Sequence, residues 1–158
     1  MKRLILTLFQ LCLIAGMQLT GQTVDNVLDL QDAINNVSDG GTITLSSSFP
    51  KENATAITLQ VNHSNNFTIN GGGEEYKVTA DVRFFTIDKT ASGSTGSVTL
   101  DGFHFVGRRL PSSGTASGLG GGGVVISTNS NGTIQFINSS FNSISGVGLV
   151  AGNSTCTV

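Results

Sequence analysis

The feature that most constrains this chain is a succession of very short apolar–polar alternations. Thr42-Ile43-Thr44-Leu45, Ile57-Thr58-Leu59-Gln60-Val61 and Phe67-Thr68-Ile69-Asn70 come first. Phe85-Thr86-Ile87, Val98-Thr99-Leu100, Phe103-His104-Phe105, Val124-Val125-Ile126 and Ile134-Gln135-Phe136-Ile137 follow. A period of two sends successive side chains to opposite faces, so each run reads as a strand with one buried and one wet face. Clusters of Gly, Asn, Ser and Asp separate the runs, as turns require. Only one helical stripe stands beside them. Val27, Leu30, Ile34 and Val37 recur at helical spacing, with Ala33 on the same side. The spacing predicts a short amphipathic helix over 29–37, with Asp29 as N-cap, Asp32 in its first turn and Gly40-Gly41 as its stop.

Two architectures accept such strands. A sandwich would join Val124–Ile126 to Ile134–Ile137 by a hairpin at Asn131-Gly132. A solenoid would repeat a strand–turn–strand unit at intervals of tens of residues. Leu45 and Ile69 are 24 residues apart, and Leu100 and Phe136 are 36 apart. These irregular repeats favour the solenoid. Composition agrees. Of 158 residues, 21 are Gly, 2 are Pro and only 11% are charged. Coils stacked about 4.8 Å apart place like side chains on one another, which disfavours charge. Disorder is the competing explanation of low charge and abundant Gly and Ser. Nine Phe and regular runs of Ile and Val argue against it. The expected fold is all-β: a parallel β-helix of about five coils, at roughly 25 residues per coil, with the helix as N-terminal cap. The last residues, Thr155 to Val158, fall inside a coil, so the expectation includes truncation at that end.

The first segment reads as an address. Met1-Lys2-Arg3 is basic, residues 4–16 are apolar, and residues 17–22 turn polar. That order is the order of a secretory signal peptide. The apolar run falls short of the roughly 20 residues that span a membrane. The organisation expected is a signal peptide at 1–21, an N-terminal segment with the capping helix at 22–41, and β-helix coils at 42–158. Cys12 would leave with the signal, so Cys156 alone remains and no intrachain disulfide can form. Export without disulfides fits a bacterial surface protein. Seven Asn-x-Ser/Thr triplets, at Asn36, Asn53, Asn62, Asn66, Asn131, Asn138 and Asn153, read chiefly as turn chemistry.

Leu30-Gln31-Asp32-Ala33-Ile34 followed by Gly40-Gly41-Thr42-Ile43-Thr44-Leu45 resembles the capping helix and first coil of pectin-lyase-like right-handed β-helices. Phe67–Gly73, Val98–Phe105 and Gly120–Ile126 look like further turns and coils. Together they are similar to the repeats of bacterial polymorphic outer membrane proteins. That family's Gly-Gly-Ala-Ile is replaced here by Gly122-Gly123-Val124-Val125, and its Phe-x-x-Asn is matched by Phe67 to Asn70. The resemblance implies a right-handed helix. It also implies a secreted or surface-displayed adhesive protein, located at the outer membrane if the host is bacterial.

Charge and motif narrow the chemistry. A net charge of −2 argues against nucleic acid as partner. Gly120–Gly123 lacks the Lys-Ser/Thr and the helix of a phosphate loop. Enzymes on this fold would need calcium-binding carboxylates with a basic proton acceptor, or paired acids. The acids here are scattered, with no Asp-Asp or Asp-x-Asp in the strand region, and Glu74-Glu75 read as a solvent-facing glycine loop. The candidate contact residues are Arg108 and Arg109, which open a long loop, with His104 and Asp101 just before them. Alternation sends His104 outward between two inward phenylalanines. Phe67, Phe85, Phe103, Phe105, Phe136 and Phe141 read as an internal stack.

The expected function is non-catalytic adhesion or interaction, without cofactor or metal. The expected partner is a surface protein or glycan of a host or neighbouring cell, with end-to-end self-association at the open end. The alternatives are a polysaccharide lyase or glycoside hydrolase on the same fold, the lyase using Ca²⁺ with Asp101 and Arg83, or a non-functional fragment of a longer surface protein.

Overall fold

The alternating runs form strands, and the strands pair in parallel. The computed structural model describes residues 21–80, 82–107, 124–126, 133–142, 149–150 and 155–157. Residues 1–20, which hold nearly all of the expected signal peptide, and Arg108, Arg109, Gly120–Gly123 and Asn131-Gly132 lie outside the described residues. In chain order the elements are β1 (Gly21–Val24), α1 (Val27–Asn36), β2 (Gly41–Leu45), β3 (Glu52–Asn53), β4 (Ile57–Gln60), β5 (Phe67–Val78) and β6 (Phe85–Asp88). After them come β7 (Val98–Val106), β8 (Val124–Ile126), β9 (Thr133–Ile137), β10 (Ser140–Asn142), β11 (Leu149–Val150) and β12 (Thr155–Thr157).

One sheet runs β1-β2-β5-β7-β9-β12, with β3 beside β5 and β10 beside β7; the other runs β11-β8-β6-β4. The protein is therefore mostly β with parallel strands. From β4 to β9 the chain passes back and forth between the sheets, β4 to β5, β6 to β7, β8 to β9. No hairpin joins β8 to β9: β8 pairs with β6 and β9 with β7. The partner of Ile69 is Ile43 and not Leu45. Leu100 does face Phe136.

The inward rows make the core. Ile43, Ile69, Leu100 and Phe136 follow one another across β2, β5, β7 and β9, and all are buried. Ile57, Phe85, Leu59 and Ile87 do the same across β4 and β6. Between the sheets lies an aromatic cluster. Tyr76 and Phe103 have ring centroids 4.7 Å apart, Phe103 and Phe105 stack at 5.4 Å, and Phe141 meets both Phe105 and Phe136 at 5.3 Å. Such pairs add about 0.5–1.5 kcal/mol each beyond the area they bury. Of the six phenylalanines predicted to stack inside, Phe85, Phe103, Phe105, Phe136 and Phe141 are joined by ring contacts, whereas Phe67 is buried with its ring against His63; Tyr76, Phe84 and Phe49 are buried as well.

The helix begins earlier than its acidic residues indicated. Asn26, not Asp29, is the N-cap: its side-chain oxygen accepts from the Asp29 backbone N–H at 3.0 Å. Its amide donates back to the Asp29 carboxylate at 2.8 Å. Asp29 sits in the first turn, where its charge complements the helix dipole. The helix stops when Val37 turns extended (φ −65°, ψ 134°), ahead of the glycines. Leu30, Ala33 and Ile34 are buried, and α1 packs against β1, β2 and β4. Gln31 completes the closure. Its side chain accepts from Gln60 N–H at 2.9 Å and donates to Gln60 C=O at 2.9 Å. This carboxamide does for the edge of β4 what a neighbouring strand would do.

Gly102 positions the surface described next. Its φ of +69° is a left-handed conformation that side chains rarely adopt, and a Cβ there would lie 2.9 Å from Gly73 N. Here the register between β5 and β7 shifts: Asn70 faces Asp101, but Glu74 faces Phe103. Both Gly102 and Phe103 are buried in succession, so the in–out alternation restarts. Residues on either side of this break face outward although they are three apart. Glu74 and Glu75, expected in a glycine loop, belong to β5 and are exposed. No helix among the described residues is long and apolar enough to cross a membrane.

Candidate functional site

Asp101 and His104 stand on the outer side of β7, one before and one after the Gly102 break. Both are partly exposed, whereas Leu100, Phe103 and Phe105 are fully buried. The outward reading of His104 is therefore correct. Each residue is held by a residue from the corner between β9 and β10. Asn138 Nδ2 donates to Asp101 Oδ1 at 2.9 Å. His104 Nδ1 and Ser140 Oγ are hydrogen-bonded at 2.9 Å. Between them, Ser139 Oγ accepts from Phe103 N–H at 3.1 Å and contacts the Ile137 carbonyl at 2.8 Å. Asn138 takes a left-handed φ of 50°, which asparagine tolerates and which turns the chain from β9 into β10. Two polar pairs, Asp101–Asn138 and His104–Ser140, are thus fixed by rigid strands and a hydrogen-bonded corner.

A third residue faces the second pair. Glu75 of β5 is in register with His104, and His104 is in register with Ser140. Carboxylate, imidazole and hydroxyl therefore follow one another across three neighbouring strands, about 4.8 Å apart. The flanking charges are paired: Lys51 Nζ lies 3.0 Å from Glu74 Oε1, and Lys77 Nζ lies 3.6 Å from Glu52 Oε1. All three glutamates of the chain lie on β3 and β5.

The basic residue of the lyase alternative is elsewhere. Arg83 is buried at 4% exposure, so it presents no accessible proton acceptor to a polymer. Lys89 is wholly buried too, its ammonium donating to the Gly96 carbonyl. Burial pushes its pKa below the ordinary lysine value. Tyr76 is pushed the other way, above the ordinary tyrosine value, by burial and then by the nearby Glu74 charge. Its hydroxyl donates to the Gly71 carbonyl at 2.9 Å. Neither group faces solvent, and both belong to the frame.

Of the four predicted contact residues, Asp101 and His104 are brought to one strip, three residues apart on β7. Arg108 and Arg109 lie outside the described residues, just beyond Gly107. Glu75, Asn138 and Ser140 complete the strip and were not singled out as contact residues by sequence. One signal pointed to Ser140. The same separation of 36 residues joins Thr99 to Gln135, Phe103 to Ser139 and His104 to Ser140.

No family model, curated protein or solved structure matches the chain.

Proposed function

We propose that the chain is a right-handed parallel β-helix that is exported and acts at the cell surface or outside it as a non-catalytic interaction protein. The observation that carries this reading is the parallel pairing of segments tens of residues apart while the chain passes between two sheets. Stacked coils account for that pairing, and they leave regular polar outer faces for contact. The basic start and apolar run of residues 1–21 supply the export signal. Contact is made on the outer side of β7, at Asp101 and His104, and at Arg108 and Arg109 a few residues further along the chain.

Two measurements test the reading. Expressed with its leader, the chain is expected in the medium or at the surface, and removal of 1–21 retains it in the cytosol. The exported chain is expected to bind cells, with binding lost on joint Arg108→Ala and Arg109→Ala substitution. Release of unsaturated product from a uronic-acid polymer, dependent on calcium and on Asp101, would overturn it in favour of the lyase.

A further inference from the structure

The strip across β5, β7 and β10 has a composition that selects among partners. Its charged flanks are neutralised in pairs, Lys51 with Glu74 and Lys77 with Glu52, which leaves Glu75 and Asp101 as carboxylates outside those pairs and disfavours a polyanion. Of the large exposed hydrophobics among the described residues, Leu28 lies on α1 and Ile137 on β9 beside Asp101, so the row Glu75–His104–Ser140 itself carries no apolar anchor of the kind that dominates protein–protein contacts. What remains is a row of hydrogen-bonding groups that differ in kind. Glu75 is exposed and takes part in neither ion pair found among the described residues, and its carboxylate only accepts. His104 uses Nδ1 on Ser140, which leaves Nε2 open. When the serine hydroxyl donates to Nδ1, Nε2 carries the proton and donates outward. In that tautomer an acceptor and a donor are neighbours on adjacent strands, and the serine bond fixes the imidazole plane.

From this arrangement we infer that Glu75, His104 and Ser140 form a subsite for the vicinal hydroxyls of an uncharged pyranose. One sugar hydroxyl donates to the Glu75 carboxylate. The next accepts from His104 Nε2–H. Ser140 is a positioning residue that sets the tautomer and orientation of the ring. Asp101 and Asn138, at the other side of the Gly102 break, supply a second polar pair for the adjoining sugar unit. The inference rests on the interaction reading above and gives its contact site a ligand class.

The test uses the full chain and a panel of methyl glucoside, methyl galactoside and methyl mannoside, read by saturation-transfer NMR and titration calorimetry. At least one pyranoside is expected to bind. Glu75→Gln should weaken it about tenfold or more, the order of one charge-assisted hydrogen bond. Ser140→Ala should weaken it about threefold or more, with restoration by Ser140→Thr. Glu74→Gln, beside it but paired with Lys51, should leave binding unchanged. All these positions are on the outer strip, so circular dichroism confirms that each variant keeps its fold. Absence of saturation transfer from all three pyranosides, or equal affinity of Glu75→Gln and the parent chain, overturns the subsite. If cell binding that depends on Arg108 and Arg109 persists in that case, the interaction reading stands and only the sugar assignment falls. Loss of cell binding by the parent chain itself would remove both.

Discussion

At the residue scale, burial has turned two ordinary titratable groups into opposing pH sensors of stability. Lys89 holds its proton less tightly when folded than when unfolded. Over the interval between its lowered folded pKa and about 10.4, the unfolded chain binds more protons, so stability rises with pH. Tyr76 holds its proton more tightly when folded. Above about pH 10 the unfolded chain loses that proton first, so stability falls. Urea midpoints across pH 7–11 are expected to climb and then decline around pH 10, with no segment steeper than about 1.4 kcal/mol per pH unit per group. Lys89→Met should abolish the climb. Tyr76→Phe should abolish the decline, and it should cost about 1–3 kcal/mol at pH 7 by leaving the Gly71 carbonyl without its donor. A flat profile in the parent chain would show that neither burial persists in solution. None of this was legible locally. Lys89 follows an alternating strand, and nothing local announces that it is buried with its ammonium donating to the Gly96 carbonyl, seven residues on.

At the element scale, the helix was legible as a cap, but its way of capping was not. The periodicity of Leu30, Ala33 and Ile34 fixed which face is buried. The role of Gln31 depends on where β4 arrives, 29 residues later, and no local pattern announces it. Gln31→Ala should cost about 1–2 kcal/mol, the loss of two exposed hydrogen bonds. It should also raise aggregation at high concentration, because the β4 edge loses its cover. Denaturation midpoints and light scattering measure the two effects. Unchanged scattering would mean that the helix backbone alone protects the edge. The strip on β7 divides in the same way. Alternation placed His104 outward, and the Gly102 break put Asp101 on the same side. Ser140 reached His104 only through the corner at Asn138, whose left-handed backbone is a tertiary outcome.

At the scale of the whole molecule, the two sheets share one core, so they should melt together. Phe103 is central: its ring contacts Tyr76, Phe85 and Phe105. Phe103→Ala is expected to cost about 3–5 kcal/mol, a large part of the 5–15 kcal/mol typical of a domain. Circular dichroism at 218 nm and tyrosine fluorescence should shift by the same amount, since Tyr76 is in that cluster. Separation of the two transitions would show that the sheets unfold independently.

Leaving β1, β3 and β10–β12 unannounced, the sequence by itself determined β2, β4, β6, β8 and β9, the start of β5, most of β7, the buried face of α1 and the internal phenylalanines. Those follow from periods of 2 and 3.6 residues, which are local and survive any loop length. Only the tertiary structure decided which strand lies beside which, that Ile69 meets Ile43, and that Glu75, His104 and Ser140 share a row. Parallel neighbours are joined by long connections of variable length, so register is set by how the inward side chains pack and where the glycine bends fall. The chemistry of the outer strip is a product of that register.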